Sequence, residues 1–125
     1  MLEKDPVVAF IATRDGAKAR RFYQDVLGLR FVSDDPFAIV FDAAGTTIRI
    51  QQVNAFEPHP FTALGWRVRD IDATVRQLAE RGIQFERYPG VEQDDLGIWR
   101  SPSGARIAWF KDPDGNVLSL TQFTA

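Results

Sequence analysis

Few side chains in this chain of 125 residues can do chemistry at neutral pH. It has no cysteine and one histidine, so disulfides, thiolate nucleophiles and His- or Cys-clustered metal sites lack their raw material. The single imidazole, His59, is the first place to look for general acid–base catalysis, yet it stands between Pro58 and Pro60 and reads as a surface or interface histidine. Tyr23, Tyr88, Glu92 and Asp94 have no companion at a spacing that makes a dyad, and Asp34-Asp35 and Asp94-Asp95 read as solvated loops. No phosphate-cradling glycine loop, Walker-type run or nucleophile elbow occurs. Recognition chemistry remains. Arg49 and Arg67 offer planar donor forks to a carboxylate, phosphate or carbonyl-bearing ligand, the alternative for each being a neighbouring acid or solvent. Phe10, Trp99 and Trp109 could stack on a flat ligand, the alternative being core or dimer packing.

Two stretches that obey one grammar of strand, Asp cap, helix, Gly stop and strand must position these residues. The first runs from Val7–Arg14 through Asp15, a helix and Gly28 to Leu29–Val32; the second runs from Thr62–Arg69 through Asp70, a helix and Gly82 to Ile83–Glu86. The two Asp caps lie 55 positions apart and the two Gly stops 54. In the first helix Ala19, Phe22, Tyr23, Val26 and Leu27 form an apolar face, and in the second Ile71, Val75, Leu78 and Ala79 form a narrower one. Hairpins follow each: Phe37–Phe41 turns through Asp42-Ala43-Ala44-Gly45 into Thr46–Gln51, and Ala105–Phe110 turns through Asp112-Pro113-Asp114-Gly115-Asn116 into Val117–Thr121. The chain therefore reads as α+β, two βαβββ modules of about residues 5–54 and 61–123 joined by a semi-rigid linker, Ala55–Pro60. A short strand, Leu96–Trp99, is also expected.

Strand alternation puts Val8, Phe10 and Ala12 on one face with Thr47, Arg49 and Gln51, and likewise Ala63, Gly65 and Arg67 with Val117, Ser119 and Thr121. The opposite parity, Ile11, Ile48, Ile50, Leu64, Trp66, Val68, Leu118 and Leu120, is apolar and suits packing under the helices. The first face is small, mixed and partly polar, as a ligand pocket should be.

Lys+Arg 15 against Asp+Glu 17 gives a net charge of −2 with the signs interspersed, which offers no electrostatic footprint for nucleic acid or anionic lipid. A hydrophobic content of 45% supports a real core, while no apolar run approaches the roughly 18 residues of a membrane span. The opening Met1-Leu2-Glu3-Lys4-Asp5 has no leader-like pattern, so a cytoplasmic protein is expected.

The runs Arg14-Asp15 through Phe22-Tyr23 to Val26-Leu27-Gly28-Leu29, Val68-Arg69-Asp70-Ile71-Asp72, and Phe110-Lys111-Asp112-Pro113-Asp114-Gly115-Asn116 resemble the vicinal oxygen chelate superfamily, which includes glyoxalase I, extradiol dioxygenases and bleomycin-resistance proteins. The resemblance spans nearly the whole chain as a single domain. It implies paired modules whose sheets curve into a cup, commonly with a divalent metal at the floor and a mobile lid, here around Tyr88–Asp95. It also implies metal ligands at positions that here are Val8, Ala63 and Ser119, with Arg49 as the fourth pseudo-equivalent position. None is a usual ligand, and a register error of one residue brings in nothing better. No metal and no cofactor are therefore expected.

The resulting expectation is metal-free binding of a small organic molecule, similar to drug-binding resistance proteins, by Phe10, Arg49, Gln51, Arg67, Trp99, Ser119 and Thr121. A homodimer is expected as well. The alternatives are a lyase, isomerase or dioxygenase-like enzyme of the same superfamily acting on a small oxygenated substrate, with Arg49 as electrophile or metal ligands completed by a partner chain, and an effector-binding or regulatory domain.

Overall fold

A computed structural model describes residues 1–124 in two compact units, Met1–Glu57 and the remainder from Pro58, with the division inside the Ala55–Pro60 segment. In the first unit, β1 (Val8–Thr13) leads to α1 (Gly16–Arg21), then β2 (Arg30–Asp34), β3 (Ala38–Ala43) and β4 (Thr46–Gln52). In the second, β5 (Thr62–Arg67) leads to α2 (Ile71–Glu80), then β6 (Trp99–Arg100), β7 (Arg106–Lys111) and β8 (Val117–Gln122). Each unit is a four-stranded mixed sheet, ordered β1-β4-β3-β2 and β5-β8-β7-β6. The first strand of each unit pairs in parallel with the last, and the remaining pairs are antiparallel. This is the expected βαβββ order, twice.

The helix ends follow their caps. Asp15 accepts a hydrogen bond from the Lys18 N–H at 3.1 Å and Asp70 one from the Ala73 N–H at 3.0 Å. Gly28 and Gly82 end the helices at φ +73° and +94°, where a Cβ would be strained. The first helix is less regular than its periodicity suggests: after Arg21 it continues as a π-helical stretch, Phe22–Val26, closed by Leu27 N–H donating to the Phe22 carbonyl. Tyr23 is fully buried there, edge-on to Phe22 and 6.1 Å from the Phe41 ring.

In the first unit Ile11, Ile39, Phe41, Ile48 and Ile50 form the core with Ala19 and Tyr23 of the helical segment. In the second, Ile71, Val75 and Leu78 are buried with Ala108, Phe110, Leu118 and Leu120. The expected parity holds for Ile11, Ile48, Ile50, Leu118 and Leu120. By contrast Leu64, Trp66 and Val68 are only half-buried, because β5 is an edge strand and α2 lies over β7 and β8.

Two expected strands are corrected. Residues 83–86 are not a strand: Ile83 N–H is taken by the Leu78 carbonyl at the helix end, and Glu86 alone reaches the sheet, through one bond to the Trp109 carbonyl. The ladder position is occupied by β6, and residues 96–98 do not belong to it, because Asp94 Oδ1 accepts from both Leu96 N–H and Ile98 N–H and holds them in a turn.

Candidate ligand-binding site

On the second sheet, the register aligns Gly65, Ser119 and Trp109 in one row and Arg67, Thr121, Ile107 and Trp99 in the next. This is the face opposite α2. Trp109 is the centre of an aromatic cluster, with Trp99 at 6.0 Å and tilted, and Tyr88 at 5.5 Å and edge-on. All three rings are half-buried. Beside them Gly65 leaves a shelf that the Ser119 side chain fills: a Cβ on Gly65 would lie 2.5 Å from Ser119 Oγ. Ser119 is 7% exposed, and its hydroxyl makes no hydrogen bond to any described residue. A hydroxyl so placed, open to the surface, offers a donor and an acceptor that no described residue takes, at the edge of an aromatic surface. Tyr88 adds a second hydroxyl; burial and the Glu86 carboxylate push its pKa up, so it stays a phenol and a donor at neutral pH.

The loop that carries Tyr88 is tied down through one side chain. Gln93 Nε2 donates to the Glu86 and Gly97 carbonyls at 2.9 and 2.8 Å, and its Oε1 accepts from Tyr88 N–H at 2.9 Å. Arg87 braces the same loop through the Asp94 and Asp95 carbonyls. Trp99 also borders a cleft of about 490 Å³ lined by Gln93, Asp94, Arg100 and Arg106.

On the first sheet the register aligns Phe10, Arg49 and Val40 in one row and Ala12, Gln51 and Ala38 in the next. Arg49 is half-buried and, among the described residues, has no carboxylate within ion-pair distance. Its charge helps to keep the Asp35 carboxyl below the usual range, after the larger effect of hydrogen bonds from the Ala38 and Phe37 N–H groups. Phe10 is 55% exposed, and Gln51 is also exposed.

The expected ligand-binding residues thus fall into two sets, Phe10, Arg49 and Gln51 on one sheet and Arg67, Trp99, Ser119 and Thr121 on the other. Arg67 stands apart from the aromatic cluster, exposed at the strand end with its guanidinium 5.5 Å from the Phe123 ring centre. His59 is exposed and stacked on Phe61 at 4.8 Å. Sequence reasoning missed the Gly65–Ser119 approach, the clasp of Gln93, and Arg69, Arg100 and Arg106. The first could have been found from the glycine opposite a serine in paired strands; the others carry no local signal.

The positions that the resemblance implies as metal ligands hold residues that do not fit a divalent cation. Val8 and Ala63 are hydrocarbon, Ser119 offers one neutral hydroxyl, and Arg49 brings a permanent positive charge. Among the described residues no group of three or more His, Asp or Glu side chains could hold a metal.

Two successive βαβββ units, each with the small and polar residues of its sheet turned away from its helix, define the class of fold. The family model described as Glyoxalase/Bleomycin resistance protein/Dioxygenase superfamily matches residues 5–120, and the chain belongs to that family. It is 26% identical over 125 residues to the uncharacterized protein YraH of Bacillus subtilis, covering 88% of this chain and 91% of that one. Among solved structures, a superfamily member from Sphaerobacter thermophilus is 28% identical with a TM-score of 0.74, over 98% of this chain and 99% of the other. TnmS3, an antibiotic binding protein from Streptomyces sp. CB03234, is 26% identical with a TM-score of 0.75, over 99% of both chains. Among the described residues no helix is long and apolar enough to cross a membrane.

Proposed function

We propose that this protein binds a small, flat organic molecule on the Trp99–Trp109–Tyr88 face of its second sheet, without a metal and without transforming it. The observation that carries the reading is the Ser119 hydroxyl, on a largely buried residue, open to the surface, unpartnered among the described residues and set beside the aromatic cluster. A ligand ring stacked on Trp109 would satisfy that hydroxyl with its own oxygen or nitrogen. Covering one face of a two-ring ligand removes on the order of 150 Å² of apolar surface from water, about 4 kcal/mol before the costs of association. Micromolar affinity therefore needs the polar contacts of Ser119 and Tyr88 in addition to stacking. The likeness to an antibiotic binding protein favours binding over turnover.

Amide NMR with 1-naphthol and acridine as probes tests the reading. Shifts should centre on Ser119, Trp109 and the indole N–H groups, and Trp109→Ala should abolish them; shifts confined to other surfaces would defeat the proposal.

The enzyme reading draws on Arg49, a half-buried guanidinium with no ion-pair partner among the described residues. It predicts turnover of a small oxo-acid or epoxide-like substrate that Arg49→Ala abolishes, and it fails if that variant changes neither binding nor rate. Self-association as a homodimer is supported by the exposure of Phe10 and Phe37 at 55% and 77%.

A further inference from the structure

We infer that the second unit carries an oxyanion site, a cleft around the end of its sheet lined by Arg67, Arg69, Arg100 and Arg106, suited to a phosphate group. The cleft has a volume of about 850 Å³, and its walls hold these four arginines and no carboxylate. They come from four places in the chain: the end of β5, the segment after it, β6 and the start of β7.

Two of the arginines are held in place. Arg106 donates to both oxygens of Asp72, at 2.6 and 2.9 Å, and Arg67 lies over the Phe123 ring. The other two, Arg69 and Arg100, are exposed and have no carboxylate partner among the described residues. Asp72 pairs with Arg106, and Asp70 and Asp94, which cap α2 and the turn before β6, also act on Arg106 through their charge, so Arg69 and Arg100 are the cations left for a ligand. Gln122 adds an amide whose Oε1 is taken by the Ile71 N–H, so its Nε2 hydrogens are the part left to donate to a ligand. The cleft wraps the end of the sheet, with Arg100 and Arg106 as register partners on the α2 side and Arg67 on the opposite side, so a doubly charged oxyanion held there takes its N–H donors chiefly from Arg69 and Arg100. The site adjoins the aromatic face, since Trp99 borders a cleft that Arg100 and Arg106 also line, but it does not rest on the proposed stacking.

The test is titration of the full chain with inorganic phosphate and with phenyl phosphate at low ionic strength, followed by amide NMR and calorimetry. Saturable binding with shifts at Arg100, Arg106 and Gln122 is expected, weakening about tenfold or more in the Arg69→Ala/Arg100→Ala variant and falling steeply with added salt. Tighter binding of phenyl phosphate would assign the site to a phosphomonoester, and equal binding to phosphate itself. Arg21→Ala, on the other unit, should leave affinity unchanged. No saturable binding of either probe up to about 10 mM, or equal binding by the double variant and the parent, would overturn the inference. Both substituted side chains are exposed, and a urea melt matching the parent separates loss of the site from loss of the fold.

Discussion

Substituting Gly65 by alanine probes the row that joins Gly65, Ser119 and Trp109. The new Cβ would lie 2.5 Å from Ser119 Oγ, against 3.4 and 3.8 Å from the Ser119 carbonyl oxygen and Cβ. The last two are ordinary contacts, so the whole conflict is with one hydroxyl. In the parent background that hydroxyl must rotate or the strands must shift, an overpacking cost of about 1–3 kcal/mol. Against it stands a gain of about 0.4–1 kcal/mol from the reduced freedom of the unfolded chain. The net expectation is a loss of about 1–2 kcal/mol. With Ser119→Ala already in place the obstacle is gone, and Gly65→Ala should then be neutral or stabilising by up to about 1 kcal/mol. Ser119→Ala alone should change stability by less than about 1 kcal/mol, because the hydroxyl has no partner among the described residues. Urea denaturation of the parent, both single variants and the double variant gives the coupling directly, and it should exceed about 1 kcal/mol. Additive effects within about 0.3 kcal/mol would refute the placement of the hydroxyl over Gly65.

Gln93→Ala removes three hydrogen bonds from the Tyr88 loop, and amide exchange at Tyr88 should accelerate by about tenfold or more while the strand amides of β8 change little. Asp112→Ala leaves the N–H groups of Asp114 and Asn116 and the Asn116 amide without their acceptor in a buried turn, and should cost about 3 kcal/mol in a urea melt. Asp72→Asn weakens the pair with Arg106, worth about 1 kcal/mol after allowance for solvent screening. The Arg106 hydrogen bonds hold the Asp72 carboxyl below its usual range in the folded protein, so this contribution is complete above about pH 4 and decays as the pH falls through the folded value. Melts of parent and Asp72→Asn should therefore converge in acid; a gap that widens there would contradict the assignment.

The sequence made the two modules legible because their punctuation is local. Asp15 and Asp70 cap helices, Gly28 and Gly82 end them, and Asp112 through Asn116 make a turn, each through hydrogen bonds within a few residues. The face division was legible too, since alternate residues on paired strands must share a side. What escaped was set by distant partners. Ile83–Glu86 has strand-like alternation, but the backbone of the following loop is satisfied by Gln93 and Asp94 side chains, which leaves one bond to β7. The half-burial of Leu64 and Trp66 depends on β5 being an edge strand. In the same way, Arg69, Arg100 and Arg106 are scattered in sequence and meet only through the sheet.

Stacking on Trp109 without a metal should be visible in tryptophan fluorescence during titration with acridine, in the presence and absence of a chelator. Saturable quenching that is indifferent to the chelator and lost in Trp109→Ala is the predicted result. Binding that requires an added divalent cation, or quenching that survives Trp109→Ala unchanged, would contradict it.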